Sequence, residues 1–266
     1  MSRRQPQTEV EPVVQRLRIR YAKRGRLRFV SHRDFARALE RAIRRAEVPI
    51  AHSAGFSPHP KVSYVGAAPT GAASEAEYAE LGLRRVVDPE QLRIALDAAL
   101  PPGLDIIACV SAEGDGLADR VDGSSWRIEL PGVDLTAADA AVAKLLAADS
   151  VPVERRTKSG RRDVDVRAGL ISVATTVPVT AAAAGAPVGP PTEVCAILEV
   201  VVRHTTPAVR PDDVLAALRI VADLVPAAPA RATRLAQGRL DDAGRLADPF
   251  APDMTADTTV VPASQQ

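Results

Sequence analysis

The chain has 266 residues, enough for one large domain or two of ordinary size. Its 46% hydrophobic content supports a core of Ala, Val, Leu and Ile, since aromatics are only 3%, and its net charge of +1 excludes a uniformly basic or acidic protein. No apolar run has membrane-spanning length, MSRRQPQTEVEP lacks the apolar stretch of a secretory signal, and no CxxC or CxxxCxxC is present, so the expectation is a cytoplasmic protein with no cofactor and no metal of its own.

Residues 1–13 are polar and are expected to be disordered. Gln15–Ser31 predicts a strand, a turn at Lys23–Gly25 and a second strand over Leu27–Val30. Ser31 has the chemistry of a helix cap, with Asp34 three residues on, and Phe35, Leu39, Ala42, Ile43 and Ala46 then recur at helical spacing. Pro49 lies beyond the helix end. Ile50–Ser53 and Val62–Val65 read as strands around an irregular loop, and TGAASEAEYAELGLRRV as a loop leading into a strand. Asp88, Pro89 and Gln91 open a second helix with Leu92, Ala95, Leu96, Ala99 and Leu100 on its apolar face. LDIIACV is a strand. The order strand, helix, strand, strand, helix, strand is the ferredoxin-like arrangement, over residues 14–111.

Residues 112–124, rich in Gly and Asp, read as a linker. A second α+β domain, ferredoxin-like by the same kind of order, is expected over 125–247. It has a strand SWRIELP, a helix starting at Thr136 and Asp139, a hairpin across Lys158–Arg161 and two β-branched strands separated by AAAAGAPVGPP. A helix from Pro211 and a strand RATRLAQGRL complete it. Residues 248–266 read as a disordered tail.

Charge is unevenly placed. Residues 1–61 hold 15 Lys and Arg against 5 Asp and Glu, a net of +10, and the rest of the chain holds 19 against 28, a net of −9. Such a split points to an anionic partner for the N-terminal part, the plain alternative being a solvated helix face. Arg33, Arg37, Arg41 and Arg44 share one side of the first helix, with Arg26, Arg28 and Ser31 just before it. His32 in the first turn is either a helix-end hydrogen-bonding group or an acid–base or phosphate-binding residue. In AGFSPHPK, Gly55 permits unusual backbone angles while Pro58 and Pro60 stiffen the loop around His59. That holds His59 and Lys61 in place for an anion, with Phe56 available for stacking. The catalytic candidates are His32, His59 and Lys61; the candidates for nucleic-acid contact are Arg26, Arg28, Ser31, Arg33, Arg37, Arg41, Arg44, Phe56, His59 and Lys61. His52 reads as a structural strand residue, and His204 in VVRHTT has no evident partner. Glu75, Glu77 and Glu80 have the chemistry of acid–base groups or of ligands to a cation, the plainer reading being a solvated loop. Cys109 and Cys195, each in an apolar run, read as buried reduced thiols. No standard nucleotide loop or hydrolase elbow is present.

The segment RYAKRGRLRFVSHRDFARALERAIRRAEVPIAHSAGFSPHPKVSY closely resembles the radical-SAM-linked protein family, a domain of unknown function. The positions that carry the likeness are Lys23, Gly25, Leu27, Arg28, Phe29, Ser31, His32 and Asp34, then Glu40, Arg41, Arg44 and Arg45, then Gly55, Phe56, Pro58, His59, Pro60 and Lys61. The resemblance implies a stand-alone member of a family associated with B12-type radical-SAM proteins, hence a radical-SAM protein as partner. The expected fold also looks like that of CRISPR repeat-processing endoribonucleases, a likeness of fold only. Three functions are therefore weighed. The first is an RNA-binding accessory protein linked to radical-SAM-dependent RNA modification. The others are a metal-independent ribonuclease and a module that docks on a radical-SAM enzyme.

Overall fold

A computed structural model describes residues 12–54, 57–157, 160–178 and 194–256. It is an α+β protein whose chain divides into two compact units: residues 1–120 with 249–266, and residues 121–248. The expected N-terminal disorder falls on residues 1–11, outside the described residues, and on Pro12 and Val13.

The first unit runs β1 (Gln15–Lys23), α1 (His32–Arg45), β2 (Val62–Val65), β3 (Ala73–Leu83), α2 (Pro89–Ala99) and β4 (Ile106–Ser111). Its strands pair antiparallel in the order β4–β1–β3–β2. The period-two alternation of β1 sends Leu17, Ile19 and Tyr21 to one face, where they join Ala79, Leu81 and Leu83 of β3. On that face lie Phe35, Leu39 and Ile43 of α1 and Leu92 and Leu96 of α2. Phe35, only 2% exposed, stacks on Tyr21 with ring centroids 3.9 Å apart. Each large side chain so buried contributes about 1.5–3 kcal/mol. The opposite face carries a smaller cluster of Ala76, Tyr78, Leu117 and Phe250.

Helix starts are where the cap chemistry places them. Ser31 Oγ accepts the Asp34 amide at 3.2 Å and donates to Asp34 Oδ2 at 2.6 Å. Asp88 accepts the Gln91 amide at 2.8 Å, with Pro89 as the first helical residue.

Several expectations are corrected here. Leu27–Val30 is no strand: Gly25–Phe29 form a 3-10 turn, because Gly25 takes φ +53° and the amides of Leu27 and Val30 close back on Arg24 and Leu27. Ile50–Ser53 makes only isolated bridges, Ile50 to Leu83 and His52 to Pro60. Most of the expected loop before Leu81 is β3 itself, which starts at Ala73. The expected linker, 112–124, contains a 3-10 turn, Leu117–Arg120, in which Leu117 and Arg120 are buried, and its last two residues begin β5.

The second unit runs β5 (Gly123–Pro131), α3 (Leu135–Ala147), β6 (Pro152–Thr157), β7 (Gly160–Asp165), α4 (Val166–Gly169), β8 (Leu170–Thr176), β9 (Cys195–Arg203), α5 (Pro211–Ala222), β10 (Arg231–Leu240) and β11 (Leu246–Ala247). Its sheet is ordered β10–β5–β9–β8, all antiparallel, with β11 added to β10. This is the order of the first unit, with the β6–β7 hairpin inserted between α3 and β8. The cap of α3 is Asp134, which accepts the Ala137 amide at 2.8 Å, rather than Thr136. Of the expected hairpin turn Lys158–Arg161, Gly160 and Arg161 belong to β7, while Lys158 and Ser159 lie outside the described residues, as does the AAAAGAPVGPP segment.

The segment expected to be a disordered tail is folded as far as Ala256. There α6 (Ala251–Ala256) belongs to the first unit, with Phe250 edge-on to Tyr78 at 5.3 Å. Asp253 is buried: its carboxylate takes Arg18 Nη1 on both oxygens at 2.9 Å, Arg120 Nη1 at 3.0 Å and the Glu113 amide at 2.9 Å. Residues 257–266 lie outside the described residues.

Candidate functional site

The outer side of α1 follows directly from its inner side. Burying Phe35, Ala38, Leu39, Ala42 and Ile43 leaves Arg33, Arg37, Arg41 and Arg44 exposed, and at 100° per residue the four fall within one arc. Arg37, 71% exposed, stands 3.8 Å from Asp34, a loose pair. Among the described residues Arg33, Arg41 and Arg44 form no ion pair. Arg45, one step off this row, donates to the Ala99 carbonyl at 3.0 Å and so serves the contact of α1 with α2.

Three arginines on β1 and just after it are occupied. Arg16 and Arg18 pair with Glu80 at 2.9 and 3.1 Å. Arg24 is held by Glu75 on one side and by Asp105 at 2.8 Å on the other, which raises its pKa above the ordinary value, the Glu75 hydrogen bond being the main cause. Glu75 and Glu80 are therefore ion-pair partners on β3, and Glu77, 2% exposed, accepts the Ala68 amide at 2.9 Å. The reading of these three as a solvated loop is overturned, because they belong to a paired strand.

The 3-10 turn carries Arg26 exposed and Arg28 half-buried. The Arg28 guanidinium carbon sits 4.9 Å from the ring centroid of Phe29, which is 59% exposed. His32, the first residue of α1, is exposed, and its ring meets Tyr64 edge-on at 4.8 Å. Tyr64 also stands edge-on to Phe35 at 6.1 Å. Burial, with the charge of Glu40 second, pushes the Tyr64 phenol up to about 12, so it stays protonated.

The proline-stiffened loop is closed by a short stem. The Ser53 amide donates to the His59 carbonyl at 2.9 Å, the His59 amide to Ser53 Oγ at 3.1 Å, and the Lys61 amide to the Ala51 carbonyl at 2.8 Å. The stem is tied to β3 through Gly82, whose amide donates to Lys61 O at 2.9 Å and whose carbonyl accepts from Ala51 at 2.8 Å. A Cβ on Gly82 would stand 3.1 Å from Val13 and 3.3 Å from the Lys61 Cβ, so a side chain there would have to push these neighbours back by a few tenths of an ångström. His59 is exposed and Lys61 half-buried. His52 is exposed, in its bridge to Pro60. Gly55 and Phe56 lie outside the described residues. The contact of His32 with Tyr64, three residues after Lys61, joins the start of α1 to the strand that follows the loop. Among the described residues no hydrogen bond joins His32 to His59 or Lys61.

Sequence reasoning missed Phe29 and Tyr64. In a strand over Leu27–Val30 alternation would turn Phe29 to the same face as Leu27; the glycine at position 25 is the one sequence signal for a turn there. In the second unit His204 does have partners: its Nε2 is 2.5 Å from Ser124 Oγ, and its amide donates to the Asp122 carbonyl at 2.7 Å. Burial, then the charge of Arg234, lowers its pKa below the ordinary value. Ser124 is buried. Cys109 and Cys195 are half-buried and unpaired by disulfide; burial pushes the Cys109 thiol up to about 12.

Among the described residues, no group of three or more His, Cys, Asp or Glu is placed to hold a metal ion, and no helix is long and apolar enough to cross a membrane. No curated protein matches the chain. A family model does match it, over residues 16–211, which takes in β1, the 3-10 turn, α1 and the loop and ends at the first residue of α5. The chain belongs to that family, described as an uncharacterized protein conserved in bacteria (DUF2344).

Proposed function

We propose that this is an RNA-binding accessory protein of the cytoplasm, gripping phosphates with Arg33, Arg37, Arg41 and Arg44 and a nucleotide with the loop that carries His59 and Lys61. The observation that carries the reading is the contrast within one unit. Arg16 and Arg18 of β1 and Arg24 just after it are taken up by carboxylates, while among the described residues three of the four on the α1 row, Arg33, Arg41 and Arg44, have none. The row runs about 16 Å along the helix axis, the reach of several phosphates. Arg26 adds an exposed cation just before the helix. The strand order in both units supports the ferredoxin-like reading, which by itself says nothing of function. The link to a radical-SAM enzyme rests on the likeness of residues 23–61 to that family.

The test is binding of a labelled structured RNA followed across a salt series. With four phosphate contacts, log affinity should fall against log salt with a slope of about −3. Replacing Arg33, Arg37, Arg41 and Arg44 together by Gln should weaken binding at low salt by about 100-fold or more and flatten the slope. No binding by the wild type at low salt, or an undiminished affinity of the fourfold variant, would end the reading. RNA recovered shortened rather than intact would shift it to the metal-independent ribonuclease, with His32 and His59 as the first residues to replace. A radical-SAM protein recovered from the native host after nuclease treatment would favour the docking module.

A further inference from the structure

Phe29 sits where an apolar ring is costly. The described aromatic residues Tyr21, Phe35, Tyr78, Trp126 and Phe250 are buried and Tyr64 is half-buried, whereas Phe29 is 59% exposed. A single exposed apolar side chain is ordinary in itself. Its setting is not: Arg26, Arg28, His32 and Arg33 lie within four residues of it, and the Arg28 guanidinium carbon lies over the ring, 4.9 Å from its centroid. The backbone beneath it is held at both ends. The Val30 amide donates to Leu27 O at 3.0 Å and the Gly71 amide to Arg28 O at 2.9 Å, while Leu27 packs into the core. The ring is thus presented on a fixed turn that leads straight into the helix bearing the free arginines.

We infer that Phe29 is a stacking platform for an unpaired base, so that the nucleic acid bound at this surface is single-stranded where it meets the start of α1. An aromatic face braced by a guanidinium and flanked by cations is the combination that holds a flipped-out or unstacked base together with its phosphate. In a duplex both faces of each base are already stacked on their neighbours, and Phe29 would have nothing to receive. The inference rests on the nucleic-acid reading above and narrows it.

The test compares oligouridine with the duplex it forms with oligoadenosine, using the full chain, with oligothymidine as a DNA arm. Phe29→Ala should weaken oligouridine binding about tenfold and leave duplex affinity and the salt slope as they were. Phe29→Trp should bind oligouridine as the wild type does, and its added indole emission should be quenched by the single strand and not by the duplex. Equal oligothymidine affinity would mean that the platform takes any unpaired strand; preference for oligouridine would mean that it takes RNA. Each result keeps the base-stacking role. If Phe29→Ala binds the single strand like the wild type, or loses strand and duplex alike, this inference falls while the arginine reading stands. If the wild type binds neither strand nor duplex, both fall together.

Discussion

The first unit contains two sets of arginines that differ in what the fold does with them. Arg16 and Arg18 of β1 and Arg24, the residue after it, meet Glu80, Asp253, Glu75 and Asp105. Those of the α1 row, Arg33, Arg37, Arg41 and Arg44, meet only Asp34, at 3.8 Å from Arg37. The two sets sit side by side in sequence and contribute alike to the +10 of residues 1–61. Their carboxylate partners come from beyond residue 61, so the tertiary structure cancels charge on the sheet and leaves it on the helix. The comparable helix of the second unit, α3, occupies the same place in the same strand–helix order and exposes Asp139 and Lys144 with no arginine. A helix in that position does not need a row of arginines to fold.

That contrast can be broken from its occupied side first. Asp253→Ala removes a buried carboxylate from between Arg18 and Arg120 and should cost about 3–5 kcal/mol in urea unfolding, because the buried Arg120 guanidinium loses its carboxylate and Arg18 keeps only Glu80. Under conditions where the variant stays folded, its RNA affinity should match the wild type; a loss of affinity without a loss of stability would merge the two sets of arginines. The fourfold Gln variant described above is the mirror image, with a large effect on binding and, for exposed residues, a stability change of about 0.5 kcal/mol or less per site.

Smaller effects sharpen the comparison. Ser31→Ala removes the cap of α1 without touching any arginine and should cost about 1 kcal/mol, read as a lower unfolding midpoint, with the salt slope of RNA binding retained. His204 provides a control in the second unit. Its folded pKa is lowered by burial, so in the unfolded chain it takes up a proton at a higher pH, near the ordinary 6.5. Its contribution is therefore full above that pH and is lost as pH falls through it toward the lowered folded value. Denaturation midpoints between pH 8 and pH 5 should decline on the acid side, and His204→Gln should flatten that part of the decline.

Much of the architecture was legible because its signals are local. Ser31 and Asp88 mark helix starts through hydrogen bonds that span three residues, and Pro89 through its fixed backbone angle at the first helical position. The alternation of Leu17, Ile19 and Tyr21 and the helical recurrence of Phe35, Leu39 and Ile43 identify the faces that must be buried. The 3-10 turn at Gly25–Phe29 escaped because its residues alternate like a strand and only the glycine's left-handed backbone breaks the pattern. Glu77 and Glu80 escaped because a carboxylate looks solvent-loving until its partner is known.

The row of arginines on one side of α1 is a property of the sequence alone, since helical spacing and the buried Phe35, Leu39 and Ile43 require it. Which arginines of this protein are free is not, because Arg18 finds Glu80 at a separation of 62 residues and Asp253 at 235. Pairing at such distances depends on strand register and on the return of α6 to the first unit. The exposure of Phe29 was decided in the same way, by a turn that only the folded backbone displays.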